Sequence, residues 1–303
     1  MFAIASFQSE IFRVLLKLVG RKRFMLKTGD DLRKGIEKRR KLRFEPPEKL
    51  AKQMNVEKFQ LGAHSYYVLK PHSSSPEKHV LYLHGGAYIH RITRYHWNFL
   101  RRLMDEIDCT ITVPLYPLAP EHTNKDTFAF LDRLYDEHIA RHILLSNELI
   151  FMGDSAGGGL ALAFAQYLRD ERRNIQPKKI LMNAPWLDLT VSNPEMDEIY
   201  ARDPFLAKPS MIEAANMYAG GEDLKNPLLS PIYGNLTNLS DMMLIIGTDD
   251  MLLADARKFK RVAEQQKVPL EYREYERMVH VFPLFPFPEG KQGLHDIVTF
   301  IKK

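Results

Sequence analysis

From about residue 55 onward, two spacings of apolar and polar residues alternate along the chain. Short apolar runs rich in Val, Ile, Leu and aromatic residues fall at 56–60, 65–69, 79–84, 110–115, 149–152, 179–183, 242–246 and 270–275, and each predicts a strand. Helical spacing fills the later intervals, at about 95–107, 126–141, 157–173, 252–266 and 291–301. This alternation predicts an α/β fold with a mainly parallel sheet and helices on both faces. The first two runs are joined by a short turn and predict an antiparallel hairpin at the sheet edge. Between residues 185 and 240 the alternation stops, and Pro194, Pro204, Pro209, Pro227 and Pro231 punctuate a single short helical stretch near 211–217. A structureless stretch of that length inside a compact domain predicts a cap or lid insertion, about 187–238, in a core spanning 51–303.

The first 50 residues have a different character. Phe7, Ile11, Val14, Leu15 and Leu18 recur at helical spacing, with Glu10, Arg13, Lys17 and Arg21 on the other side, which predicts an amphipathic helix. Residues 1–60 carry 16 Lys and Arg against 7 Asp and Glu, so the overall charge of +5 resides there and the remainder is acidic. The basic run from Lys34 to Arg43 suits a weak contact with an anionic membrane surface or a solvated helical face. Without aromatic interleaving or a nucleic-acid module, no nucleic-acid partner is expected. No apolar run reaches the ~18 residues a bilayer requires, and Glu10, Arg13 and Lys17 interrupt any signal-like segment. The lone cysteine, Cys109, sits in a strand-like run and reads as a core thiol, so a cytoplasmic, reducing location is expected.

Candidate chemistry centres on two glycine-bearing strings. Gly153-Asp154-Ser155-Ala156-Gly157-Gly158 fits Gly-x-Ser-x-Gly, between a strand-like run and an apolar helix. That context predicts a serine on a sharp strand-to-helix turn, its hydroxyl projecting into a pocket. His84-Gly85-Gly86-Ala87-Tyr88 follows another predicted strand and offers backbone N–H groups for an oxyanion. A serine hydroxyl needs a base to activate it and a carboxylate to orient that base. When acid and histidine follow the serine in sequence, as on an α/β-hydrolase elbow, the bases available are His280 and His295. His280 lies in the loop after a strand, whereas His295 falls within the last helix. For the acid, Asp249, Asp250 and Asp255 all lie just past the strand at 242–246, and spacing alone does not separate Asp249 from Asp250.

Six ordered motifs then resemble one family. They are His84-Gly-Gly-Ala-Tyr88, Tyr116-Pro117-Leu118-Ala119-Pro120-Glu121, Gly153-Asp-Ser-Ala-Gly-Gly158, Ala184-Pro185-Trp186-Leu187-Asp188, Asp250-x-Leu252-x-x-Asp255 and Val279-His280-Val281-Phe282. Together the chain resembles the hormone-sensitive-lipase-like carboxylesterases of the α/β-hydrolase superfamily, from about residue 50 onward. The resemblance implies an eight-stranded, mostly parallel sheet with a helical cap to which residues 1–50 contribute. It implies Ser155 as nucleophile, His280 as base, Asp250 as acid, and the N–H groups of Gly85, Gly86 and Ala156 as the oxyanion hole. Tyr88, Trp186 and Phe282 are expected to wall the substrate pocket, while His84, Glu121 and Asp154 are expected to hold the surrounding backbone. One departure is visible. The family's Tyr-Arg-Leu-Ala-Pro-Glu carries Pro117 here in place of Arg, which leaves the support of that loop open.

The expected activity is serine-dependent hydrolysis of short- to medium-chain acyl esters through an acyl-enzyme. A small-molecule ester is the partner and no metal or organic cofactor is implied, with a homodimer left open. Amide, formamide or lactone hydrolysis by the same residues, an interfacial lipase and a non-catalytic binder are the competing expectations.

Overall fold

The computed structural model describes residues 5–71, 76, 78–139, 148–171 and 176–303. The chain opens with helices α1 (Phe7–Leu18), α2 (Arg21–Met25), α3 (Gly29–Arg40) and α4 (Glu48–Gln53). Strands β1 (Val56–Leu61), β2 (His64–Leu69) and β3 (Lys78–Leu83) follow, then α5 (Arg94–Glu106), β4 (Cys109–Pro114) and α6 (Asn124–Leu134). Next come β5 (Glu148–Asp154), α7 (Ala156–Glu171), β6 (Lys179–Asn183), α8 (Met196–Tyr200) and α9 (Lys208–Ala219). The chain closes with β7 (Asp241–Gly247), α10 (Leu253–Gln265), β8 (Leu270–Tyr275) and α11 (Pro288–Lys302). The helix expected at 126–141 is α6, which continues through a π turn to Ile139; residues 140 and 141, like 172 and 173 of the helix expected at 157–173, lie outside the described residues.

The eight strands form one sheet in the order β1-β2-β4-β3-β5-β6-β7-β8. The β1–β2 hairpin is antiparallel and joins β4 antiparallel, and every pairing from β4 to β8 is parallel. Because the central strands are covered on both faces, β5 and β7 are almost wholly buried and read as continuous apolar runs instead of alternating ones. The parallel pairing brings the carboxyl ends of β3, β5, β6, β7 and β8 to one edge, with Leu83 beside Gly153, Asp154 beside Asn183 and Gly247 beside Tyr275. Open α/β sheets place their ligands at that edge.

The N-terminal helices and the Pro-rich insertion pack against each other. Ser210 donates to Met25 Sδ at 3.6 Å, Glu213 accepts the Gly29 N–H at 2.8 Å, and Lys22 donates to the Asp203 carbonyl at 2.9 Å. On α1 the charged side faces the protein. Arg13 pairs with Asp249 at 2.7 Å and Glu10 with Arg277 at 2.9 Å. Phe12 packs on Phe285, ring centroids 4.4 Å apart, yet Phe7 and Leu18 of the apolar stripe are 80% and 77% exposed. All five residues of the predicted stripe, Phe7, Ile11, Val14, Leu15 and Leu18, are exposed, and the apolar residues of α1 that dock, Phe12 and Leu16, lie outside it. Among the described residues no helix is long and apolar enough to cross a membrane.

Candidate active site

Ser155 occupies the turn between β5 and α7 with φ +55°, a left-handed conformation that costs a non-glycine residue energy and marks the elbow. The turn closes only because Gly153 lacks a Cβ, which would stand 2.1 Å from the Gly157 carbonyl oxygen. Backbone bonds fix it further: Ser155 N–H donates to the Asn183 carbonyl, and its own carbonyl accepts from Trp186, both at 2.9 Å.

His280 lies in the loop after β8, its Nε2 2.9 Å from Ser155 Oγ and its Nδ1 2.7 Å from Asp250 Oδ2. Two turns hold this relay together, since Asp249 N–H donates to the Met278 carbonyl at 3.0 Å and Thr248 N–H to that of Tyr275 at 2.9 Å. Burial alone disfavours the imidazolium, but the charge and hydrogen bond of Asp250, with help from Asp203 and Asp154, raise His280 above its ordinary 6.5. Of the three carboxylates in the acid turn, only Asp250 reaches the histidine. Asp249 pairs with Arg13 at 2.7 Å, and Asp255 accepts from Asn193 at 2.9 Å. His295 sits on the exposed side of α11.

The glycine loop requires a correction. Gly85 N–H is not free for an oxyanion, because it donates to Asp154 Oδ1 at 3.1 Å. Gly86 at φ +136° and Ala87 at φ +53° turn the chain so that both line the cavity beside Ser155. Among the described residues neither N–H has a protein acceptor. The third N–H, that of Ala156, begins α7, where the first-turn donors have no intrahelical partner. The loop is anchored by Asp154, whose Oδ1 also accepts from Tyr82 at 2.6 Å and whose Oδ2 lies 3.3 Å from His96. Burial pushes the Asp154 carboxyl up, but His96, Tyr82 and the Gly85 N–H outweigh it and hold the group below its usual range. His84 stacks on Tyr116 at 4.5 Å, and burial together with nearby His96 pushes it down to about 4.

The expected pocket walls are core residues instead. Tyr88, Trp186 and Phe282 are all fully buried and none lines the cavity. Tyr88 donates to the Ala156 carbonyl at 2.9 Å and stacks on Tyr218 at 3.8 Å, while Trp186 donates to the Asp188 carbonyl at 2.9 Å. Residues that sequence reasoning did not single out form the walls of this ~600 Å³ cavity: Phe12 and Leu16 from α1, Phe24 from α2, and Phe205, Leu206 and Phe285. Glu121 is surface-exposed and paired with Arg40 of α3. Arg40 also donates to the carbonyls of Ala119 and, at 3.3 Å, Ile89. It thus supports from α3 the loop in which Pro117 replaces arginine.

Asp203, also not singled out by the sequence, is a buried carboxylate between α8 and α9. It accepts N–H groups of Phe205 at 2.6 Å, Leu206 at 2.9 Å and Met251 at 2.8 Å. Burial and the negative charge of Asp250 push it up to about 7. Among the described residues no group of three or more His, Cys, Asp or Glu is placed to hold a metal ion.

A family profile described as the alpha/beta hydrolase fold matches residues 80–284. An esterase of Acinetobacter venetianus is 28% identical over 227 residues, 73% of each chain, and an acetyl-hydrolase of Streptomyces hygroscopicus is 29% identical over 230 residues, 74% of this chain and 75% of that one. Among solved structures, an esterase/lipase from an uncultured bacterium superposes with a TM-score of 0.81 at 26% identity, covering 98% of both chains.

Proposed function

The chain belongs to the hormone-sensitive-lipase-like α/β hydrolases and is a carboxylic-ester hydrolase, and on that premise we propose that Ser155, His280 and Asp250 form its catalytic triad. The observation that carries this reading is the pair of bonds from one imidazole, 2.9 Å to Ser155 Oγ and 2.7 Å to Asp250.

In this reading His280 takes the hydroxyl proton as Ser155 Oγ adds to the ester carbonyl, and Asp250 stabilises the imidazolium that results. The tetrahedral oxyanion is met by the N–H groups of Gly86, Ala87 and Ala156, donors already oriented before charge develops. The alcohol leaves with the proton from His280. Water, deprotonated by the same histidine, then attacks the acyl-enzyme and releases the acid. Residues 1–50 and the insertion around 187–238 act as the cap. The apolar walls and the cavity volume of ~600 Å³ favour short- to medium-chain acyl groups.

Hydrolysis of 4-nitrophenyl acetate, butyrate, hexanoate and laurate, with Ser155→Ala as control, tests the assignment. Turnover should favour the shorter esters and fall by about 10⁴ or more in the variant. Wild-type rates in Ser155→Ala would overturn it. The exposed part of α1 supports a second reading, in which the enzyme works at a lipid surface.

A further inference from the structure

One wall of the catalytic cavity carries positive charge that the triad does not use. Arg21 of α2 and Arg39 from the last turn of α3 line it together with Ser155 and His280. Arg21 lies over the Phe205 ring at 4.5 Å and Arg39 over Phe24 at 3.8 Å. Neither makes an ion pair among the described residues, although their neighbours Arg13 and Arg40 are matched by Asp249 and Glu121. Nη1 of Arg21 is shut off from solvent with no hydrogen-bond partner, and so are both ring nitrogens of His90, a third residue of this wall.

The acids nearby are committed elsewhere. Asp203, which acts on Arg21, spends its carboxylate on three backbone N–H groups, Asp154 is held by Tyr82 and His96, and Asp250 by His280. Burial and the like charge of Arg39 lower Arg21 to about 9, and burial with the surrounding arginines pushes His90 down to about 3, leaving that ring neutral. Two guanidinium groups beside orphaned polar nitrogens repel one another, and an anion seated between them relieves both repulsion and lost hydrogen bonding.

Resting on the esterase reading of Ser155, we infer that the ester this site takes carries an anionic group, a carboxylate or a phosphate, remote from the scissile carbonyl and bound by Arg21 and Arg39 with His90 as a hydrogen-bond partner. The apolar walls suit the methylene segment that links the two ends.

The test compares monomethyl adipate with methyl hexanoate, and 4-acetoxybutanoate with butyl acetate, so that the anion sits on the acyl side or the alcohol side. In the wild type one anionic ester should exceed its neutral partner in kcat/KM by about tenfold or more, and Arg21→Gln and Arg39→Gln should each bring that ratio near unity. Glutarate and inorganic phosphate, tried as competitive inhibitors of 4-nitrophenyl acetate turnover, distinguish carboxylate from phosphate. Equal or better use of both neutral esters, with no inhibition by either anion, would overturn the inference. If the wild type hydrolyses no ester, the triad reading fails on its own. Calorimetric titration of both anionic esters, glutarate and phosphate into Ser155→Ala, with and without Arg21→Gln, still decides the anion site: binding lost with Arg21 supports it, and no binding refutes it.

Discussion

The buried carboxylate of Asp203 accepts the backbone N–H of Met251, the residue after Asp250, at 2.8 Å. An aspartate of the insertion thereby fixes the turn that carries the proposed catalytic acid. Its carboxyl stays protonated in the folded chain up to about pH 7, whereas in the unfolded chain it ionises near 3.8. Between those values the folded state binds the extra proton, so this group's contribution to stability falls as pH rises. Asp203→Asn should flatten that part of the profile, as read by denaturant melts across the window. The slope will shrink without vanishing, because burial pushes Asp255 up to about 7 as well.

The pH dependence of turnover follows from His280. The imidazole must be neutral to accept the serine proton, and Asp250 raises it above 6.5. The acid limb of kcat/KM should therefore rise through a midpoint above 6.5, and Asp250→Asn should move the midpoint down while costing about 10²–10⁴ in kcat. Asp249→Asn is the contrasting variant, since Asp249 faces Arg13 and not the histidine. A midpoint unmoved by Asp250→Asn but shifted by Asp249→Asn would assign the acid wrongly.

Replacing Gly86 should disable the proposed oxyanion loop. A Cβ there would stand 2.6 Å from the His90 carbonyl oxygen, at φ +136°. Gly86→Ala is expected to lower kcat by about 10²–10³, the usual effect of losing one donor. Circular dichroism of the same preparation separates a displaced loop from an unfolded chain.

Removing the Arg40 side chain should loosen the loop from Ala119 to Glu121 without touching Ser155, His280 or Asp250. Arg40→Ala leaves the Ala119 carbonyl short of a donor and should cost about 1–3 kcal/mol in a denaturant melt. Arg40→Lys should recover part of that loss. Equal melts for all three proteins would show that the contact does not stabilise the loop.

If the enzyme works at a lipid surface, the exposed apolar residues of α1 are where it would touch. Phe7→Asp with Leu18→Asp should then abolish co-sedimentation with anionic vesicles and leave hydrolysis of a water-soluble ester intact. No sedimentation of the wild type would remove the interfacial reading.

Strand positions were legible because period and apolarity suffice for them: the eight observed strands fall on the eight runs, within a residue or two at each end. The elbow was legible from glycine, since its close contacts forbid any other residue. What escaped depends on direction and distance. Which N–H of the loop is left without a protein acceptor is set by the φ angles of Gly86 and Ala87, and the family resemblance pointed to Gly85, whose N–H is taken by Asp154. Tyr88, Trp186 and Phe282 have the composition of a pocket wall but the packing of a core. Asp203, Arg21 and Arg39 meet the site only because the N-terminal helices dock on the insertion, and no local pattern announces that docking.

Arg40 ties the first part of the chain to a loop some eighty positions away. The N-terminal helices and the rest of the chain they pack on are consequently not interchangeable parts. A chimera that grafted another enzyme's N-terminal helices onto this core would leave the loop after Pro117 without the guanidinium that holds Ala119 and Glu121, and helices and loop would have to be exchanged together.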